Sequence, residues 1–195
     1  MKHLKRLGLA AVAAMALMAF VGAGTASATT LIGVGGSVLK AGTTIHAVNV
    51  GTVTFTTEVK NVECTGSTIQ GTTSNETGTT VNITVSTLTF TGCNCEVKVL
   101  KTGTLSIERI GTTSNGTVKS NGAEITESCS TIFGTVHCIV ATSGTDLGTL
   151  TGGTTATIDI SSAQIPYLTT SSLCSAGRWD ATYKIDNPDT LNVIG

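Results

Sequence analysis

The residues with the widest chemical reach in this chain are six cysteines: Cys64, Cys93, Cys95, Cys129, Cys138 and Cys174. Such thiols can ligate a soft metal, attack as nucleophiles beside a histidine, or oxidise in pairs. Gly92-Cys93-Asn94-Cys95 sets two sulfurs two residues apart, which on a strand puts both on one face. A metal site built on them needs further Cys or His ligands, and beyond residue 28 the only histidines are His46 and His137. His137 adjoins Cys138, but neighbours on a strand face opposite ways, so no Cys–His nucleophile assembles there. An even number of cysteines behind an export signal reads as a disulfide framework, with no metal and no cofactor.

The pairing can be argued from register. If Phe133-Gly134 forms a two-residue turn, residues 129 and 138 meet on a non-hydrogen-bonded rung, where Cα atoms lie about 4.5 Å apart. That predicts a Cys129–Cys138 bond; the alternative is that both face the core and pair elsewhere. A Cys93–Cys95 ring is too short for extended backbone, so Cys64 is expected to bond one of that pair and Cys174 the other.

Hydrolytic chemistry has no signature. There is no Gly-x-Ser-x-Gly, no His-Glu-x-x-His and no phosphate-binding glycine loop. Glu96, Glu108, Glu124, Glu127, Asp146 and Asp159 could supply carboxylates, but no spacing pairs them, and they read as the soluble outer face. Asp186-Asn-Pro-Asp189 carries calcium-type oxygens but fits a Pro-stiffened turn as well. Asn75-Glu-Thr77, Asn82-Ile-Thr84 and Asn115-Gly-Thr117 match the glycan acceptor pattern, as chance tripeptides do in so threonine-rich a chain. Trp179 and Tyr183, four apart on one strand face, could stack a sugar if exposed; sharing that face with Ala181 and Ile185, they read as core. Rows of threonine at 52, 54, 56 and at 87, 89, 91 suggest an ice-binding array, but no fixed repeat supports a flat one.

The elements that must position these groups follow a leader. Lys2, Lys5 and Arg6 form a basic start, Leu7 to Val21 an apolar run, and Ala26-Ser27-Ala28 a small-residue cleavage site. Residues 1–28 are therefore expected to be a signal peptide and 29–195 one secreted domain, freely exported and without membrane insertion. The remaining chain is mildly acidic with no Lys/Arg cluster, which gives no electrostatic reason to bind nucleic acid.

Only 12% of the residues are charged, yet valine, isoleucine and leucine recur at strand spacing, unlike a disordered chain. Residues 29–44 are Gly-rich and expected to lead in loosely. Thereafter Val53, Phe55, Thr57 and Val59 alternate with polar neighbours, as do Val81, Ile83 and Val85. The phase slips at Ser86-Thr87, where Leu88 and Phe90 take the inward positions, which predicts a bulge. Val97 with Val99, Leu105 with Ile107, Val136 with Cys138 and Val140, and Ile158 with Ile160 keep the period. Trp179, Ala181, Tyr183 and Ile185 form the clearest strand, with Leu191 and Val193 closing. Asn115-Gly116, Asn121-Gly122, Ser143-Gly144 and Gly152-Gly153 mark turns, and no window has helical periodicity. The fold class is all-β: an antiparallel sandwich, Ig-like or jelly-roll-like, of about eight to eleven strands tied by disulfides. A partly closed barrel is the alternative.

Thr91-Gly-Cys-Asn-Cys-Glu-Val-Lys-Val99, Thr145-Asp-Leu-Gly-Thr-Leu-Thr-Gly-Gly153 and Cys174 followed by Trp179-Asp-Ala-Thr-Tyr183 resemble small Thr/Gly-rich exported proteins of soil actinobacteria. In layout over residues 45–185 the chain is also similar to secreted PraB-type proteins, the alkane-oxidation activators linked to biofilm surfaces. The resemblance implies an extracellular, non-enzymatic β protein and transfers no functional residue. The expected role is structural, adhesive or surface-interacting, with cell-surface or matrix components as partners. The rival expectation is a binding module for glycans or hydrophobic compounds, for which Trp179 and Tyr183 are the ligand-binding candidates.

Overall fold

A computed structural model describes residues 28–57, 60–132, 134–168, 174 and 177–195. Val59 and Phe133, named above, lie outside the described residues, as does the predicted leader up to residue 27.

Strands are numbered in chain order. The first five are β1 (Thr29–Ile32), β2 (Thr44–Thr56), β3 (Val62–Thr73), β4 (Thr77–Gly78) and β5 (Val81–Cys93). Then come β6 (Glu96–Lys101), β7 (Thr104–Arg109), β8 (Gly116–Asn121), β9 (Glu124–Thr131) and β10 (Gly134–Ala141). The last are β11 (Thr145–Thr151), β12 (Thr157–Ile165), β13 (Gly177–Asn187) and β14 (Asn192–Ile194). Among the described residues the only helical element is a 3₁₀ turn at Val34–Gly36, and no helix is long and apolar enough to cross a membrane.

The all-β, antiparallel, disulfide-bonded class is as the sequence predicts. Of the two architectures, the strands adopt the barrel, and it is closed: β11-β12-β13-β2-β3-β5-β7-β8, with β8 returning to β11. Two-residue periodicity explains the wall. Trp179, Ala181, Tyr183 and Ile185 of β13 are all buried, while Arg178, Lys184 and Asp186 are exposed. The predicted bulge is present, since Gln70 pairs with Thr87 and Gly71 with Val85, leaving Ser86 unopposed. Phe55 stacks on Trp179 at 5.7 Å, with Phe90 and Tyr183 edge-on to the indole. The Tyr183 hydroxyl, fully buried, meets Ser67 Oγ at 2.8 Å.

Two small sheets plug the barrel. At one end lies β14-β1-β4, whose Leu31 shares a cavity of about 20 Å3 with Ile45, Ile107, Ile158 and Ile185. Residues 29–44 thus do not lead in loosely. Thr29 is wholly buried, its hydroxyl donating to the Thr79 carbonyl and accepting from the Arg109 amide. The reason is edge pairing: β1 covers the barrel mouth between β14 and β4. At the other end lies β10-β9-β6, whose Ile125 and Val140 share an apolar cavity of about 30 Å3 with Phe55, Leu88 and Trp179. That is space for about one water molecule.

Two of the three disulfides fasten this second plug, and the third ties two barrel strands beside it. Cys64–Cys93 joins β3 to the end of β5, Cys95–Cys129 joins the next corner to β9, and Cys138–Cys174 joins β10 to the segment before β13. The loops they close span 29, 34 and 36 residues. By chain entropy each removes roughly 3.5–4 kcal/mol of unfolded-state freedom.

The predicted Cys129–Cys138 bond is not formed, because the turn sits one residue earlier than assumed, which shifts the pairing by two residues. Thr131 pairs with Gly134, so Cys129 faces Val136 and Cys138 faces Glu127. The two cysteines are diagonal neighbours on one face, and each bonds away from the hairpin. Nor does Cys174 reach the Cys93/Cys95 pair. β5 ends at Cys93, and Asn94 turns the corner by bonding Glu63 and Asn61, which aims Cys95 at β9 instead. Asn115-Gly116 is also not a positive-φ turn: Gly116 begins β8, where a Cβ would press on Ile107.

Candidate functional site

An open concavity of the barrel wall comes from two strands that stop pairing. β11 and β12 share rungs from Thr151↔Thr157 to Gly148↔Ile160, and no further. Beyond Gly148 the ladder from β11 to β8 slips between Asp146 and Gly148, and beyond Ile160 the ladder from β12 to β13 slips between Ile160 and Ala163. Facing bulges bend both strands and increase their twist, so they diverge. Ser162 takes φ +51, unusual for a residue with a side chain, and its amide donates to Asp180 Oδ1 at 2.8 Å.

The result is a slot of about 430 Å3 between residues 145–148 and 161–164. Its floor is apolar, made by Leu147 and Ala163, both buried. Its rim is polar and exposed: Asp146, Ser161, Ser162 and Gln164, with Thr145 half-buried. Leu147 also lines the interior cavity, so one side chain separates slot from core. No ion pair among the described residues engages Asp146. Each wall offers hydrogen-bonding groups, and the floor offers apolar contact.

A second unusual group lies beneath the β9–β10 hairpin. Glu127 is 3% exposed and its Oε1 finds no partner among the described residues. Desolvation pushes its carboxyl up to about 7. It faces a cavity of about 20 Å3 shared with Lys60, Val62, Cys129 and Cys138. The Tyr167 hydroxyl is also buried and unpartnered among the described residues, and burial together with the Glu127 charge raises its pKa.

On the outer face of the same sheet, Ser128 Oγ and His137 Nδ1 are 2.8 Å apart. The sequence announced no such pair; only the observed register aligns them. The rung reads His137, Ser128, Glu96, so the carboxylate neighbours the serine and does not orient the imidazole. Glu96 is instead bound to Lys98 at 2.6 Å, a contact that lowers its pKa and so favours the carboxylate. The pair is an exposed hydrogen bond on a strand.

The remaining candidates disperse. Trp179 and Tyr183 are 5% and 0% exposed and form no sugar platform. All six cysteines are in disulfides. Glu124 pairs with Lys101, Glu108 lies 4.0 Å from Lys119, and Asp159 accepts from Thr157 and Thr182. His46 Nδ1 meets Asp186 Oδ1 at 2.5 Å, which commits one carboxylate of the Asp186–Asp189 turn. Among the described residues no three potential ligand side chains gather around a metal position. Asn75 spends its amide on Thr77, Thr80 and Asn82 within its own turn.

Of the slot residues, only Asp146 was singled out by type. A signal for the rest exists: Ile158 and Ile160 are inward at even positions, Ala163 and Ile165 at odd ones, and that slip marks the bulge. Comparison with family models, with curated proteins and with solved structures finds no match to this chain.

Proposed function

We propose that this chain is an exported scaffold that works outside the cell in a structural or surface-interaction role, adhesive in its specific form and without catalysis. The observation that carries the reading is the closed barrel whose interior is filled, with one disulfide across its wall and two fastening its hairpin plug. Such bonds persist in oxidising compartments. With interior cavities of about 20 and 30 Å3, recognition falls to the outer surface. That surface is poor in charge and rich in threonine, which leaves little repulsion against neighbouring surfaces. β1 begins at Thr29, the first residue after the expected cleavage site. The partners proposed are cell-surface or matrix components, in keeping with the resemblance to Thr/Gly-rich exported proteins.

The test is retention. Labelled protein is incubated with whole cells, insoluble polysaccharide and alkane droplets, and then sedimented. The reading expects saturable retention on cells or matrix; none on any surface would overturn it. A second reading, a ligand-binding module for glycans or hydrophobic compounds, is favoured by the slot of about 430 Å3 beside Asp146.

A further inference from the structure

We propose that the slot between β11 and β12 binds a short extended peptide as an added strand, with a basic side chain of that peptide set against Asp146. The inference deepens the surface-interaction reading by naming the chemistry of a partner.

Thr145 and Asp146 pair only with Ser120 and Lys119 of β8, and Ala163, Gln164 and Ile165 pair only with β13. Each wall therefore has one edge with no partner strand among the described residues. Strand edges present alternating donors and acceptors, and an extended chain satisfies them with no side-chain specificity. Here two edges face one slot, so an inserted strand would be addressed from both sides.

Size and shape agree. A strand advances about 3.3 Å per residue, and walls of three to four residues on each side match a segment of similar length. Thr145, Gly148, Ser161, Ser162 and Ala163 carry small side chains or none, which lets a backbone come close. Leu147 and Ala163 below would receive the inward side chain, and the exposed Asp146 above would receive a charge. A glycan is the poorer fit, because no aromatic residue lines the slot on which a sugar ring could stack.

Trp179 supplies the readout. It is the only tryptophan of the chain and the register partner of Ala163. The probe is the pentapeptide acetyl-Ser-Val-Lys-Val-Ser-amide, titrated into the full domain while tryptophan emission is followed. Hydrogen exchange is measured at residues 145–147 and 163–165. The proposal expects a saturable emission change and roughly tenfold slower exchange at the slot-facing ones among those amides. The same peptide N-methylated at both valines should bind at least roughly tenfold more weakly, because the donors along one of its edges are replaced by methyl groups that clash with the facing wall. Asp146→Lys, at an exposed position, should weaken the unmodified peptide similarly while leaving the melting curve in place. No binding at millimolar peptide, equal binding of the N-methylated peptide, or slot protection by cellopentaose in place of peptide would each overturn it. Because these titrations use purified protein, their failure is separate from a failure of cell retention.

Discussion

Gly148 and Ile160 form the last rung that β11 and β12 share, and everything open about this barrel begins there. Gly148 holds φ +148, and a Cβ on it would run into the Asp159 carbonyl oxygen. The rung therefore needs a residue without a side chain. Gly148→Ala is expected to destabilise the domain by about 2–4 kcal/mol, with strain and collision both contributing. Urea unfolding monitored at Trp179 checks this; an unchanged midpoint would mean that the strands can part elsewhere.

Glu127 sets a pH dependence of stability. Its ordinary value is 4.5 and burial raises it to about 7, so between these limits the folded state holds a proton that the unfolded chain has released. Stability therefore falls as pH rises through that window and levels off above it, by at most roughly 3 kcal/mol. Lys60, at the same cavity, and Tyr167, whose own pKa is raised, are the other titratable groups bearing on it. Glu127→Gln should flatten the curve and exceed the native protein in stability at pH 8, while matching it near pH 4. Parallel stability curves for the two proteins would refute this assignment.

The pair Ser67 and Tyr183 should respond asymmetrically to deletion. Ser67 Oγ donates to the Thr89 carbonyl at 2.7 Å, so the Tyr183 hydroxyl is the donor in their shared bond. Tyr183→Phe leaves the serine satisfied and should cost about 0.5–1.5 kcal/mol. Ser67→Ala strands a fully buried phenol and should cost more, about 1–3 kcal/mol. Equal effects in thermal melts would indicate that the freed hydroxyl finds another partner.

What the sequence made legible follows from how local each feature is. The β13 alternation from Trp179 to Ile185 and the slip at Ser86 were readable because burial on one side of a wall imprints directly on residue type. The cysteine partners were not. Whether Cys129 faces Val136 or Cys138 turns on a one-residue shift of the hairpin turn, and apolar residues on both strands permit either. The Ser128–His137 contact was hidden for the same reason. Closure of the barrel rests on the β8–β11 pairing, joining strands separated by a whole hairpin, which no local pattern encodes. The slot was the least visible feature, since it is made by two strands failing to pair, and its walls are ordinary Ser, Thr and Gln.

The fastening of the hairpin plug to the barrel is the centre of this account, and non-reducing peptide mapping of protein recovered from culture medium tests it most directly. The account predicts three linked species, Cys64 with Cys93, Cys95 with Cys129 and Cys138 with Cys174, with no free thiol and Thr29 as the first residue. A Cys129–Cys138 linkage, or folded protein whose six sulfurs titrate as thiols, would contradict it.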